Sequence, residues 1–541
     1  MKLPYLRRSQ LIPIVFFAVL AFGIMFPLLS RGYILTLDMV FGPHISLPAA
    51  ASPTYPLYWI LHIISIVVPV DILQKGLLFG IFMMAGCGMF RLFRALAPVG
   101  TELLPALFAG SIYAVNPFVY SRFMAGQYLV LLGYAMVPCV LLAWYRFLYK
   151  PIRWRGIVAA LWAWLLGCVS LHMLGLAVLP GVLLFGLALW QRRHDRVALR
   201  RLFAHVAFVF GGWVVLSAFW IIPIIAGTAP AAQTISAFGA ADFNAFRSPA
   251  TGWGLMWAVI AMGGFWADAQ DMYMLPQDIY GWWWLPLAML LAFVGYGMYR
   301  SWRMKRGLTI ALLLTAVVAA ALAVATSLDI WFAAHVSAFA GYRETNKFVA
   351  LIVLAYAYFG AVAVADINGR LHDSWRSLSV LAIAIPLLTA PLLFGGANGQ
   401  LTPRHYPADW YAVREQLARD SGQAPVLFLP WHLYMRYEFA GRTIATPARA
   451  FFDVPVITSA DPEFKQATGY GTDRTQQRIA SILERQAAYD DHLGKPLAAI
   501  GIRYIVLAKD FDYRSYDYLN SQKDIHLVSD TSSLRVYQVG Q

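Results

Sequence analysis

Residues 11–48 read LIPIVFFAVLAFGIMFPLLSRGYILTLDMVFGPHISLP, and this stretch decides the fold. Residues 11–29 carry no charge and are long enough to cross ~30 Å of hydrocarbon as a helix. The basic MKLPYLRRSQ before them mimics a signal peptide. The apolar run is too long for a signal h-region, however, and no small-residue cleavage site follows it, so an uncleaved first span is expected. Beyond the span comes a loop with one isolated carboxylate, Asp38, between apolar residues.

Composition extends the membrane reading to most of the chain. Hydrophobic residues make up 60% of 541 and charged residues 13%, against roughly 45–50% and 25% in soluble domains. The formal charge of +14 invites a nucleic-acid reading until it is located. From residue 395 onward 16 Lys and Arg balance 16 Asp and Glu, whereas the preceding part holds 26 basic and 12 acidic residues. The excess is a topology signal, and no nucleic-acid partner is expected. Cys87, Cys139 and Cys168 all lie in apolar runs, which leaves no disulfide framework and no thiolate metal site.

Apolar runs near 11–30, 73–93, 101–120, 128–147, 204–226, 282–299, 308–327, 346–365 and 378–395 each suit one span. The stretch 156–190 is nearly twice that length, with basic residues at both ends, and is expected to be a hairpin turning near Ser170–Leu171–His172. The sum is a polytopic α-helical membrane protein of about eleven spans. With the N-terminus inside, 20 of the 26 basic residues fall in cytoplasmic segments. Only Arg31, Lys75, Arg122, Arg247, Arg343 and Lys347 fall outside, which fixes an N-in, C-out orientation. Counting 57–70 or 252–266 as a span would reverse this, so both are expected to lie in the outer interface. Residues 1–395 form the transmembrane domain. Residues 396–541 are expected as a small extracytoplasmic α/β domain, with strands at 426–430 and 502–509 and an amphipathic helix within 472–494.

Where cations are scarce, each one asks for a reason. Asp38, with His44 nearby, suits a general base or a metal ligand, and equally a solvated loop aspartate. In NPFVYSRFMAGQY, taken as a tight outer loop, Asn116–Pro117 ends a helix and Arg122 either grips a phosphate or snorkels to headgroups. In FAGYRETNKF, Arg343, Glu344 and Lys347 share about one helical turn before a late span. They form either an anion site or an interfacial ion pair. His172 at the hairpin tip, Asp242 and Arg247 are weaker candidates. Trp282–Trp283–Trp284 reads first as an interface belt. No Walker loop, dinucleotide fingerprint or HExxH occurs, and the spans lack the mid-membrane charges of many ion-coupled transporters. The polar residues gather at one surface.

Taken together, Asp38 after span one, the short helices before span two, NPFVYSRFMAGQ, RETNKF and the late LFLPWHLYMRYEFAGR resemble the GT-C superfamily of polytopic membrane glycosyltransferases. The last three also resemble its YfhO-like members. The resemblance implies a polyprenyl-phosphate-linked sugar donor, a glycan or glycolipid acceptor and a site at the outer face of the cytoplasmic membrane, among membrane lipid. It implies Asp38 as the base, with Arg343, Lys347 and then Arg122 on the donor phosphate. Glu344, His44, Asn116 and His172 would support them, and Trp431, His432 and Tyr434 would face the acceptor. Where many members carry DxD or DE, this chain has Leu-Asp-Met. That favours an inverting reaction with no cofactor, over one using a divalent metal. A lipid-linked-saccharide flippase and a non-catalytic assembly subunit are the alternatives.

Overall fold

The computed structural model describes residues 8–97, 103–229, 235, 238–250, 254–372, 377–420, 422, 424–461, 474–485 and 491–540. Long apolar helices dominate. They are α1 (Arg8–Met25), α3 (Val70–Leu96), α4 (Leu103–Ala114) running on into α5 (Pro117–Met124), and α6 (Tyr128–Tyr149). α7 (Arg153–Val169), α8 (Leu171–Gln191) and α9 (Arg196–Ile225) follow. After the short α10 (Ala240–Ala245) and α11 (Leu255–Ile260) come α12 (Trp284–Met304), α13 (Arg306–Val324), the ten-residue α14 (Thr326–His335) and α15 (Val349–Arg370). The shorter α2 (Tyr55–Ser65) occupies the stretch expected at the interface.

Eight helices among the described residues are long and apolar enough to cross a membrane, or nine if one bent pair is a single span. The difference from eleven has a physical origin. α7 has only 17 residues, about 25 Å at 1.5 Å per residue. α12 ends in the polar YRSWRM, with Arg300 and Arg303. The run expected to cross at 378–395 is not straight, because Ser379–Thr389 and Pro391–Asn398 meet at 73°. Pro391 interrupts it, and Gly395, Gly396 and Ala397 adopt positive φ.

Side-chain caps set several helix starts. Asn116 accepts from Val119 N at 3.0 Å and Pro117 opens α5, so NPFVYSRFM is a helix and not the loop expected from sequence. Ser170 caps α8 at the hairpin turn, as Asp195 caps α9. The spans starting at Leu103 and Thr345 are each 89% buried over their apolar window, against 17% for α9. α4–α5 and α15 are therefore the centre of the bundle, and α9 faces lipid. At Gly297 of α12, a Cβ would stand 1.7 Å from Phe359 O of α15. Only glycine permits that approach.

The C-terminal part carries a five-stranded sheet in the order β6 (Val456–Ile457), β3 (Val426–Leu429), β7 (Tyr504–Ala508), β9 (Leu534–Val539), β8 (Ile525–Asp530). Its first three strands are parallel and the last two pair antiparallel. The expected strands are thus β3 and β7. α16 (Ala408–Asp420) and α17 (Arg474–Glu484) flank them, with Trp410, Val413 and Leu417, and Ile479 and Ile482, buried.

One feature places the site. The loop after α1 is woven into this C-terminal part. Its strand β1 (Tyr33–Ile34) pairs antiparallel with β2 (Pro403–Arg404), and Leu37 bridges Ile444 in the hairpin β4 (Tyr434–Tyr437)–β5 (Arg442–Ala445). Tyr406 donates to Phe41 O at 2.8 Å.

Candidate active site at one end of the bundle

Asp38 sits where the woven loop meets the corner between α5 and α6. Its N–H donates to Ala125 O at 3.0 Å, and Ala445 N donates to the neighbouring Leu37 O at 2.7 Å. The corner closes on Gly126, at φ +73, where a Cβ would lie 2.5 Å from Met39 N. Left-handed backbone and close approach both demand glycine there. Gly126→Ala should lower the melting temperature in detergent and depress activity more than a surface Gly→Ala exchange does; equal effects would show the corner to be uncritical.

The Asp38 carboxylate accepts from Tyr434 OH at 2.6 Å and from Gln127 Nε2 at 3.2 Å. Gln127 also donates to Glu344 Oε2 at 3.4 Å and accepts from Arg122 Nη1. Glu344 holds Arg122 Nη1 at 2.5 Å and Lys347 Nζ at 3.6 Å. Arg122 Nη2 donates to Asn346 Oδ1 at 2.9 Å, and Asn346 donates to Gly263 O at 2.7 Å. One polar network thus joins the first loop, the α5–α6 corner and the RETNK segment. The 3₁₀ turns Ser337–Tyr342 and Thr345–Phe348 carry that segment into α15.

Burial pushes the Asp38 carboxyl above its ordinary range, and the Tyr434 bond pulls back part of the shift. The base role expected of Asp38 from sequence requires the ionised form, and in that role it would put the acid limb of the rate profile above the usual carboxylate pKa. Tyr434→Phe removes a bond that favours the charged form. The acid limb should then move to higher pH; an unmoved limb would separate Asp38 from the rate. For Glu344, burial alone raises the carboxyl, but Lys347, Arg122 and Arg343 outweigh it and hold it well below the usual range.

Arg122 is fully buried, with its guanidinium 4.1 Å over the Phe265 ring. Its Nη1 and Nη2 are engaged by Gln127, Glu344 and Asn346, whereas Nε has no hydrogen-bond partner among the described residues. Arg343 lies over the rings of Phe238 and Phe246, at 4.0 and 4.9 Å. His172 Nε2 lies 2.8 Å from Gly341 O, and Tyr342 OH donates to His172 O at 2.8 Å, tying the α7–α8 turn to RETNK.

Other expected neighbours lie elsewhere. His44 does not flank Asp38; its Nδ1 is 2.9 Å from Asp453, which Arg414 also grips. Asn116 caps α5 and donates back to Ile112 O at 2.8 Å. His432 pairs with Asp512 at 3.2 Å, and Trp431 packs into the core beneath the sheet. Of that trio only Tyr434 reaches Asp38, and it does so as a hydrogen-bond donor. Gln127, Asn346 and Asp268 escape sequence reading. Asp268 accepts from Ser121 at 2.9 Å, Tyr273 at 2.6 Å and the Gly264 and Phe265 amides. Gln127 and Asn346 do end or interrupt the two quoted motifs, which is the one signal available.

Beside the network lies a cavity of about 590 Å³. Asn244, Arg247, Ser248, Trp266, Thr326 and Ser327 are among its walls. Ser248 Oγ is 3.4 Å from Thr345 Oγ1 of the RETNK segment. Trp266 packs with Phe246, Phe265 and Leu37, with Tyr434 against the same cluster. Arg247 is exposed at this wall, next in sequence to the ring that Arg343 covers.

The structure is thus a multi-span helical bundle whose first loop is stitched to β2 and the β4–β5 hairpin, with a charged network at that junction. Residues 282–541 match the family model described as alpha-(1->3)-arabinofuranosyltransferase, N-terminal GT-C domain. Arabinofuranosyltransferase AftD from Mycobacteria shares the fold at a TM-score of 0.65 and 15% identity, covering 98% of this chain and 40% of that one. This chain therefore spans about two-fifths of the length of that structure. The family match covers just under half of this chain, and the structural likeness, which runs over nearly all of it, shows the fold. The apo Archaeoglobus fulgidus oligosaccharyltransferase is more distant, at a TM-score of 0.46 and 12% identity, covering 92% of this chain and 69% of that one. No curated protein matches.

Proposed function

We propose that this membrane protein transfers a sugar from a polyprenyl-phosphate carrier to an envelope glycan or glycolipid at the outer face of the cytoplasmic membrane. The observation that carries the reading is the link from Asp38 through Gln127 to Glu344, Lys347 and Arg122, beside a cavity that presents Arg247. The family description makes arabinofuranose the first sugar to test.

In this reaction the acceptor hydroxyl oxygen attacks the anomeric carbon as Asp38 takes its proton. The carbon–oxygen bond to the phosphate breaks, and polyprenyl phosphate leaves with the electron pair. Attack opposite the leaving group inverts the anomeric centre. Negative charge grows on the phosphate in the transition state, where fixed cations act most strongly. Arg247 lines the cavity wall for that role, and Arg343, over the neighbouring Phe246 ring, and Lys347 add to the positive charge at this end. Glu344 and Arg122 hold Lys347 and the loop in register. Both Asp38 oxygens already accept from neutral donors, and cations rather than paired carboxylates surround the phosphate position. That arrangement supports the metal-free form of the reaction. Chelator should therefore leave the rate unchanged; loss of activity with EDTA and recovery with a divalent ion would reject this step.

The test is transfer from labelled farnesyl-phosphoryl arabinofuranose to an alkyl arabinofuranoside in proteoliposomes. A new glycosidic bond is expected. Movement of the donor across the bilayer with no such bond would identify a flippase instead.

A further inference from the structure

The end of the bundle opposite Asp38 holds a second concentration of charge. α6 leaves the Asp38 network next to Gln127 and ends at Tyr149, about 33 Å away at 1.5 Å per residue. Its turn into α7 carries Arg146, Lys150, Arg153 and Arg155. The α8–α9 turn carries Arg192, Arg193, Arg196, Arg200 and Arg201. These four helices pack on one another, so the two turns share one corner. Arg192 joins them, donating to Leu148 O at 2.7 Å and to Tyr149 O at 3.3 Å. One acid, Asp195, stands among the nine cations, and it is spent on capping α9 through Ala198 N at 2.9 Å. Among the described residues, none of the nine forms an ion pair with a carboxylate.

Topology alone does not demand bare charge of this density. The other basic turn at this end, between α12 and α13, neutralises or buries its cations. Arg300 and Arg370 pair with Asp366 at 2.6 and 2.8 Å, and Lys305 donates to Leu96 O and Ala97 O at 3.0 and 3.1 Å. At the α6–α9 corner the charges are instead placed at a cost. Arg153 and Arg196 open α7 and α9, where the helix dipole disfavours a cation. Arg196 and Arg200 are like charges at i and i+4. An anion from outside the chain offsets both penalties.

The surroundings select which anion. α8 and α9 are the spans with least burial over their apolar windows, at 33% and 17%, so the corner lies on the lipid-facing edge of the bundle. Tyr149, Trp154 and Trp190 are exposed around it, and such rings settle at the level of the headgroups. Free phosphate would meet the charge and leave the rings and the apolar edge unused. We propose that this corner is a binding site for anionic phospholipid, with the phosphates on the two turns and the acyl chains along α8 and α9. Spread over two turns, the charge favours a headgroup with two phosphates. The site is separate from the Asp38 network, and the proposal does not depend on the glycosyl-transfer reading.

The test is lipid binding to the delipidated full chain in neutral detergent, read by native mass spectrometry. Cardiolipin, phosphatidylcholine and inorganic phosphate are the probes. Cardiolipin should bind about tenfold more tightly than phosphatidylcholine, with the preference fading as salt rises. Arg200→Gln combined with Arg201→Gln should remove most of that preference. Arg153→Gln, on the other turn, should act the same way to a smaller degree and guards against misfolding of the double variant. Arg303→Gln combined with Arg306→Gln, on the α12–α13 turn, should leave the preference intact. Equal binding of the two lipids by the wild type, or a preference unchanged in both corner variants, would overturn the proposal and leave these cations as a topology signal only. Displacement of cardiolipin by an equal concentration of inorganic phosphate would also overturn it, by making the corner a site for the free anion.

Discussion

Asp38→Asn is expected to lower the transfer rate by about 10³-fold, within the 10²–10⁴ range of a lost general base. The effect should fall on kcat, with donor binding within twofold of wild type. Asparagine keeps the size of the side chain and can still accept from Tyr434 OH, which now holds Asp38 at 2.6 Å. The loop is also fixed by backbone bonds, Asp38 N to Ala125 O and Ala445 N to Leu37 O, so the variant should fold and insert. A separation of kcat from melting temperature is therefore the diagnostic. A variant that melts early and loses donor binding would mark Asp38 as a structural tie between loop and hairpin. Near-normal transfer would remove the base assignment.

The second large effect is on stability. Glu344→Gln should destabilise the protein by about 3–5 kcal/mol, because removing one partner of a buried ion pair leaves the other uncompensated. Here two cations are stranded, Arg122 with no exposure and Lys347 at 6% side-chain exposure. Loss on this scale should appear as a markedly lower melting temperature in detergent. Restoring charge balance tests the cause. Glu344→Gln combined with Arg122→Met should recover much of the loss, since an apolar replacement of a buried pair is often tolerated. If the double variant is no better than the single, the network is not what holds these elements together.

Hydropathy and charge made the bundle legible, because bilayer thickness fixes span length and loop cations fix orientation. The same scarcity singled out Arg122, Arg343, Lys347 and Arg247, all of which lie at or beside the network. What escaped has physical causes. The pairing of Tyr33 with Arg404 joins residues far apart in sequence, and neither stretch alternates strongly enough to announce a strand. Gln127 and Asn346 are neutral, and no charge count marks them. Pro117 looked like a helix end because Asn-Pro reads as a turn; with Asn116 as the cap, it opens α5 instead. His44 and His432 were natural candidates by residue type, yet each has an aspartate partner elsewhere, Asp453 and Asp512. Tyr434 was noticed for its ring and matters through its hydroxyl.

The network also explains why the first loop and the C-terminal sheet need one another. Asp38 is held from both sides, by the α5–α6 corner through Ala125 and Gln127 and by the β4 strand through Tyr434. In the proposed reaction, a base held from both sides keeps its distance to the donor, and such fixed geometry is a large part of the catalytic gain.

The most direct test is a structure of the full chain with farnesyl-phosphoryl arabinofuranose bound. The expected density puts the phosphate within salt-bridge reach of Arg247, with the anomeric carbon turned toward Asp38. A donor phosphate at the opposite end of the bundle, or on a flank from which the RETNK segment screens Asp38, would contradict it.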